Sequence, residues 1–173
     1  MTATAGDERR AGIAGAVERL TSAWALVGGL VLLAVIAVNM LAVIGAAIGR
    51  SFPGDFELTE MGVAIAVFAF LPYCQIREVN VTADIFTAGA GPRWLAAFKA
   101  LAALVATGFA AILLWRMSAG MADQRDYGYA TAILQLPIWY AFVPILVSLA
   151  LLAAAALVSL SEALRALRGA RHV

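Results

Sequence analysis

The chain divides into four long apolar runs separated by short polar segments. No charge falls between Arg19 and Arg50, thirty residues, or between Glu60 and Arg77, sixteen residues. Taken from Phe56 to Ile76, the second run is 21 residues, roughly 31 Å as an α-helix and therefore the thickness of a bilayer's hydrocarbon core. The third run, Trp94 to about Met117, carries Trp94 and Trp115 at positions 21 apart. That spacing is about 32 Å along a helix and matches the two membrane interfaces where tryptophan concentrates. Pro137 and Trp139 open a fourth run, uncharged to about Leu160. The pattern predicts an all-α integral membrane protein with four transmembrane helices at about 21–49, 56–76, 94–117 and 137–160. Together they form a membrane domain over 21–161, with polar tails at 1–20 and 162–173.

The polar segments refine this picture. Residues 1–20 carry mixed charge and read as a cytoplasmic tail or short surface helix; the apolar run that follows is too long for the core of a cleavable signal peptide. Pro53 and Gly54 mark a turn. Asp55, Glu57 and Glu60 follow at the start of the second span, where the helix dipole favours negative charge. Pro72 lacks the N–H that would bond the Phe68 carbonyl and should kink that span near its far end. In residues 77–93, Val79, Val81, Ala83 and Ile85 alternate with Asn80, Thr82 and Asp84. A lone strand at a membrane surface would leave its backbone unpaired. A short interfacial helix capped by Thr82 and stopped by Gly89, Gly91 and Pro92 is therefore the preferred reading. The segment 118–136 is long enough to fold over the surface. Lysine and arginine number nine in the two tails and the 77–99 segment, against three in the other two loops. By the positive-inside rule, both termini are cytoplasmic.

Composition excludes several functions. Hydrophobic residues make up 64% and charged residues 13% of the chain, which does not describe a soluble domain of this length. The net charge is +1 and the arginines are dispersed, so there is no basic patch to track nucleic acid. Cys74 is the only cysteine and His172 the only histidine, so an internal disulfide, a thiolate metal site and bis-histidine haem are all excluded. No glycine-rich phosphate loop or nucleophile constellation is visible, and no enzyme activity or cofactor is expected. Nor is an ionisable group present in the centre of any span, where autonomous ion-coupled transporters place theirs.

Asn39 is the strongly polar side chain of the first span and should hydrogen-bond to a neighbouring helix, since an unpaired amide in hydrocarbon is costly. Glu57 and Glu60 read first as helix-end electrostatics, with Glu60 also a candidate for a partner or ion contact. Asp84 reads as a salt-bridged or solvated charge.

Four motifs stand in order over about residues 20 to 160: Gly49-Arg50-Ser51-Phe52, Glu57-Leu58-Thr59-Glu60, Arg77-Glu78-Val79-Asn80-Val81-Thr82-Ala83-Asp84 and Leu136-Pro137-Ile138-Trp139-Tyr140. Together they resemble one family, the small permease subunit (DctQ-like) of tripartite ATP-independent periplasmic (TRAP) transporters. Members often carry a histidine where Asn80 stands. The resemblance implies the bacterial inner membrane and a sodium-coupled uptake system for an organic acid. Its partners would be a large permease subunit of roughly twelve spans and a periplasmic substrate-binding protein, with this chain a scaffold embedded in membrane lipid. It implies contact residues and no catalytic ones: Asn39, Glu57, Glu60, Arg77, Asn80, Asp84 and Trp139. The rival classes, a free-standing four-helix transporter or an assembly protein, would show no large permease beside it.

Overall fold

The computed structural model describes residues 5–50, 52–77 and 92–169. They form four helices: α1 Ala5–Ala47, α2 Asp55–Ile76, α3 Pro92–Asp126 and α4 Trp139–Gly169. Each contains a stretch long and apolar enough to cross a membrane. The expected short helix between the second and third spans lies, apart from its ends, outside the described residues.

The helices overrun the apolar runs. α1 has 43 residues and α3 has 35, about 65 and 53 Å, well beyond the roughly 30 Å of hydrocarbon. Hydropathy marks where a chain leaves lipid, whereas a helix closes its own backbone hydrogen bonds and can continue into water. Residues from position 5 thus belong to α1, and α3 runs on to Asp126, leaving a loop of only 127–138. α2, by contrast, ends near its apolar limit, with the Arg77 N–H bonded back to the Tyr73 carbonyl. It runs through Pro72, which is buried.

Packing follows the order α1, α2, α4, α3, with α1 also touching α4 over a shorter length. α2 and α4 are therefore the interior helices, and α3 makes its extensive contact with α4 alone. The seams are built from small residues, which let helix axes approach where lipid supplies no hydrophobic drive for association. Gly28 of α1 faces Ala66 and Ala69 of α2; a Cβ added at Gly28 would stand 2.7 Å from the Ala69 Cβ. Gly62 of α2 receives the Val35 side chain. On α4, Ala141, Ile145, Leu149, Ala155 and Ala156 are buried, and Ala100, Ala103 and Ala110 of α3 are buried too.

Many of the large apolar side chains point outward. Leu26, Leu30 and Val43 of α1 and Phe109 and Trp115 of α3 are each at least 65% exposed. Apolar surface on this scale belongs against lipid or another membrane helix. The fold is that of a multi-pass membrane protein with its bulk turned outward and its small residues inward.

Candidate functional site

Three polar constellations hold the helices together, and most of the sequence-predicted contact residues sit in them. The first joins α1 to α2. Asn39 Nδ2 donates to the Thr59 Oγ1 at 2.7 Å and to the Val35 carbonyl at 2.9 Å, and the Thr59 hydroxyl donates to the Asp55 carbonyl. This is the interhelical hydrogen bond that an amide in hydrocarbon requires. Beside it an open groove of about 380 Å³ runs along α1, lined by Val35, Ile36, Asn39, Met40, Val43 and Ile44.

The second lies at the C-terminal end of α2. Arg77 forms an ion pair with Glu18 of α1 at 3.1 Å, and its guanidinium sits 5.6 Å from the centre of the Tyr73 ring. Glu18 lies in the segment read from sequence as a tail or short surface helix, and only the continuous helix carries it alongside Arg77.

The third lies at the opposite end, where the 127–138 loop meets the start of α2. Glu57 is the third residue of that helix, a position from which a glutamate usually turns back to cap its own N-terminus. Here the N-cap Gly54 has no side-chain cap. Instead, the Glu57 carboxylate accepts hydrogen bonds from the backbone N–H groups of Ile133 at 2.6 Å and Leu134 at 2.9 Å. Leu134 packs where Gly54 has no side chain, and Gly54 has φ +83°, a left-handed conformation that favours glycine. The loop is itself ordered: Thr131 N–H donates to the Leu136 carbonyl, Leu136 N–H donates to the Thr131 hydroxyl, and Ile138 N–H donates to the Tyr129 carbonyl. Where the loop returns to α4, the Arg125 guanidinium stands 5.6 Å from the Trp139 ring centre, and Trp139 meets Tyr140 edge-on at 4.3 Å.

Glu60 is exposed on α2. Asn80 and Asp84 lie outside the described residues. Among the described residues no group of three or more histidine, cysteine, aspartate or glutamate side chains could hold a metal ion. Cys74 is free and exposed.

Sequence reasoning also missed a link between α1 and α4. Trp24 Nε1 donates to the Ser148 Oγ of α4 at 2.8 Å, and that hydroxyl donates to the Pro144 carbonyl at 2.8 Å. From its place at the start of an apolar run, Trp24 reads as an interface anchor. The structure ties its indole N–H to α4 instead. A serine four residues after a proline in a transmembrane run is the only local signal, and it does not reveal the partner. One buried side-chain oxygen, Gln124 Oε1 near the end of α3, has no hydrogen-bond partner among the described residues.

Four apolar helices joined by small-residue seams and internally satisfied polar links define a multi-pass membrane protein. The sequence model of the family described as tripartite ATP-independent periplasmic transporters, DctQ component, matches residues 35–166. The chain belongs to this family and is the small permease component of a TRAP transporter, not an enzyme. TRAP systems combine this component with a large permease and a substrate-binding protein. No curated protein and no solved structure matches the chain.

Proposed function

We infer that this chain serves as the fixed scaffold of a sodium-coupled importer of an organic acid in the bacterial inner membrane. In this reading both termini and residues 77–93 face the cytoplasm, and the 127–138 loop faces the periplasm. The observation that carries the inference is how the polar groups within the apolar runs are engaged. Asn39, Trp24, Ser148 and Thr107 each spend their donors on acceptors of this same chain. A membrane site for sodium or an organic anion needs charges, broken helices or converging free polar groups. Among the described residues the span interiors hold no charged side chain, which supports leaving ion and substrate to the large permease.

The α1 groove is the proposed seat for that permease. Val35, Asn39 and Val43 form one ridge at four-residue spacing and Ile36, Met40 and Ile44 the next. The depression between two such ridges accepts a ridge of a crossing helix. Glu60, Asn80, Asp84 and Trp139 are proposed as further contacts. Glu57 and Arg77 are already engaged within the chain and would contribute through the surfaces they shape.

Wild-type, Asn39→Ala, Glu60→Gln and Asp84→Asn complexes, reconstituted at matched assembled amounts in proteoliposomes, test this. The expected result is a lower yield of complex with sodium and substrate half-saturation unchanged. A tenfold shift in the sodium half-saturation of an intact complex, about 1.4 kcal/mol, would replace the passive scaffold with an ion site shared by this subunit.

A further inference from the structure

We propose that residues 129–138 form a strap which the Glu57 carboxylate locks across the N-terminal end of α2, binding the α1–α2 hairpin to the α3–α4 hairpin at that end of the molecule. This rests on contacts within the chain and is independent of the scaffold reading.

Chain connectivity alone does not account for these contacts. A loop joining two neighbouring antiparallel helices such as α3 and α4 needs only a few residues. Here it extends to α2, which lies beside α4 in the packing order but outside the α3–α4 hairpin. Its two consecutive N–H groups at Ile133 and Leu134 converge on one carboxylate. Consecutive backbone N–H groups around a turn form a concavity suited to an anion. In this strap the anion is supplied by the protein itself.

The turn is shaped for that purpose. Gln135 has φ +55°, an uncommon conformation for a residue other than glycine, and its side-chain amide donates to the Ala132 carbonyl. The Ala130 to Pro137 pairing closes the base of the strap. On the α2 side, Gly54 leaves the space that Leu134 fills, so polar and apolar contacts coincide at one place. The capping role that Glu57 gives up costs α2 part of its usual N-terminal satisfaction, and the strap is where that carboxylate is used instead.

The lock is specific to a carboxylate. Glutamine at 57 keeps the shape but offers one carbonyl oxygen and turns an NH₂ toward N–H donors. Alanine offers nothing. Asp123, exposed near the end of α3, serves as the acid control.

The experiment is hydrogen–deuterium exchange on the full chain, purified together with its large permease, for wild type, Glu57→Gln, Glu57→Ala and Asp123→Asn. The expected result is that both Glu57 variants exchange at least about tenfold faster in peptides covering 129–138, while peptides in the interior of α2 and α4 keep their rates and Asp123→Asn matches wild type in 129–138. A spin-label pair at Phe56 and Ile133, both exposed, gives a second measurement: a narrow distance distribution in wild type that broadens in Glu57→Gln. Should Glu57→Ala fail to assemble, Glu57→Gln carries the test by both readouts. Unchanged exchange and an unchanged distance distribution in Glu57→Gln would overturn the strap. So would faster exchange spread evenly over all four helices, which would assign Glu57 to general stability.

Discussion

The bond between Trp24 and Ser148 joins helices α1 and α4 across 124 residues of chain, and a double-mutant cycle can weigh it. Ser148 is 1% exposed, and its hydroxyl both accepts from the indole and donates to the Pro144 carbonyl. Ser148→Ala strands the Trp24 N–H in apolar surroundings, where an unmet donor costs about 1–3 kcal/mol. Interhelical hydrogen bonds in membrane proteins fall nearer 0.6–1.7 kcal/mol, because the unfolded chain in a membrane also finds partners; about 1 kcal/mol is the expected coupling here. Trp24→Phe removes the donor and leaves Ser148 its bond to Pro144, losing some ring contact as well. Each single change should therefore destabilise, and the double mutant should cost about 1 kcal/mol less than the sum of the two, roughly a fivefold factor in the unfolding constant. Reversible unfolding in detergent and dodecyl sulfate mixed micelles, followed by far-ultraviolet circular dichroism so that the lost tryptophan does not affect the signal, measures the cycle. Additivity within about 0.3 kcal/mol would show that the two side chains are neighbours without a bond of consequence, and would refute the reasoning.

Two further outcomes follow from the seams and the charge pattern. Gly28→Ala should destabilise by about 1–3 kcal/mol, because the new methyl meets the Ala69 Cβ, which is fixed to its backbone and cannot rotate away. Gly62→Ala presses on the Val35 side chain, and Val35→Ala should recover part of the loss. Thermal melting of Gly28→Ala, Gly62→Ala and the Gly62→Ala/Val35→Ala double variant checks both, and a Gly28→Ala protein as stable as wild type would contradict the close α1–α2 seam. Single cysteines at Ala88 and at the exposed Ala130, in a Cys74→Ser background, should react with an impermeant thiol reagent on intact cells at 130 and not at 88. The reverse labelling would invert the topology.

The membrane class, the four spans and the family were legible in the sequence because each rests on a local property. A charge-free run of bilayer length is a one-dimensional feature, and lipid imposes it whatever the helices pack against. The need of Asn39 for a neighbour was equally local: the amide had to be satisfied, and hydrocarbon offers nothing. That Thr59 satisfies it depends on Gly28 and Gly62 bringing α1 and α2 close in one register. Glu57 read as a helix-end charge, and the helix end is where it lies; that it holds Ile133 and Leu134, more than seventy positions away, is decided by where the loop after α3 comes to rest. Trp24 looked like an interface anchor because aromatic position along a run carries no information about which side of the helix faces protein. α1 is apolar around its whole circumference within the membrane, so no amphipathic stripe marks its packing face. The overrun of α1 and α3 beyond the apolar blocks was hidden for the same kind of reason: hydropathy reports the solvent a residue prefers, and a helix can cross that boundary unbroken. What only the tertiary structure decided was the order α1, α2, α4, α3 and the long-range links that order permits. Small-residue seams and single hydrogen bonds select it, and they carry their meaning only once two helices lie side by side.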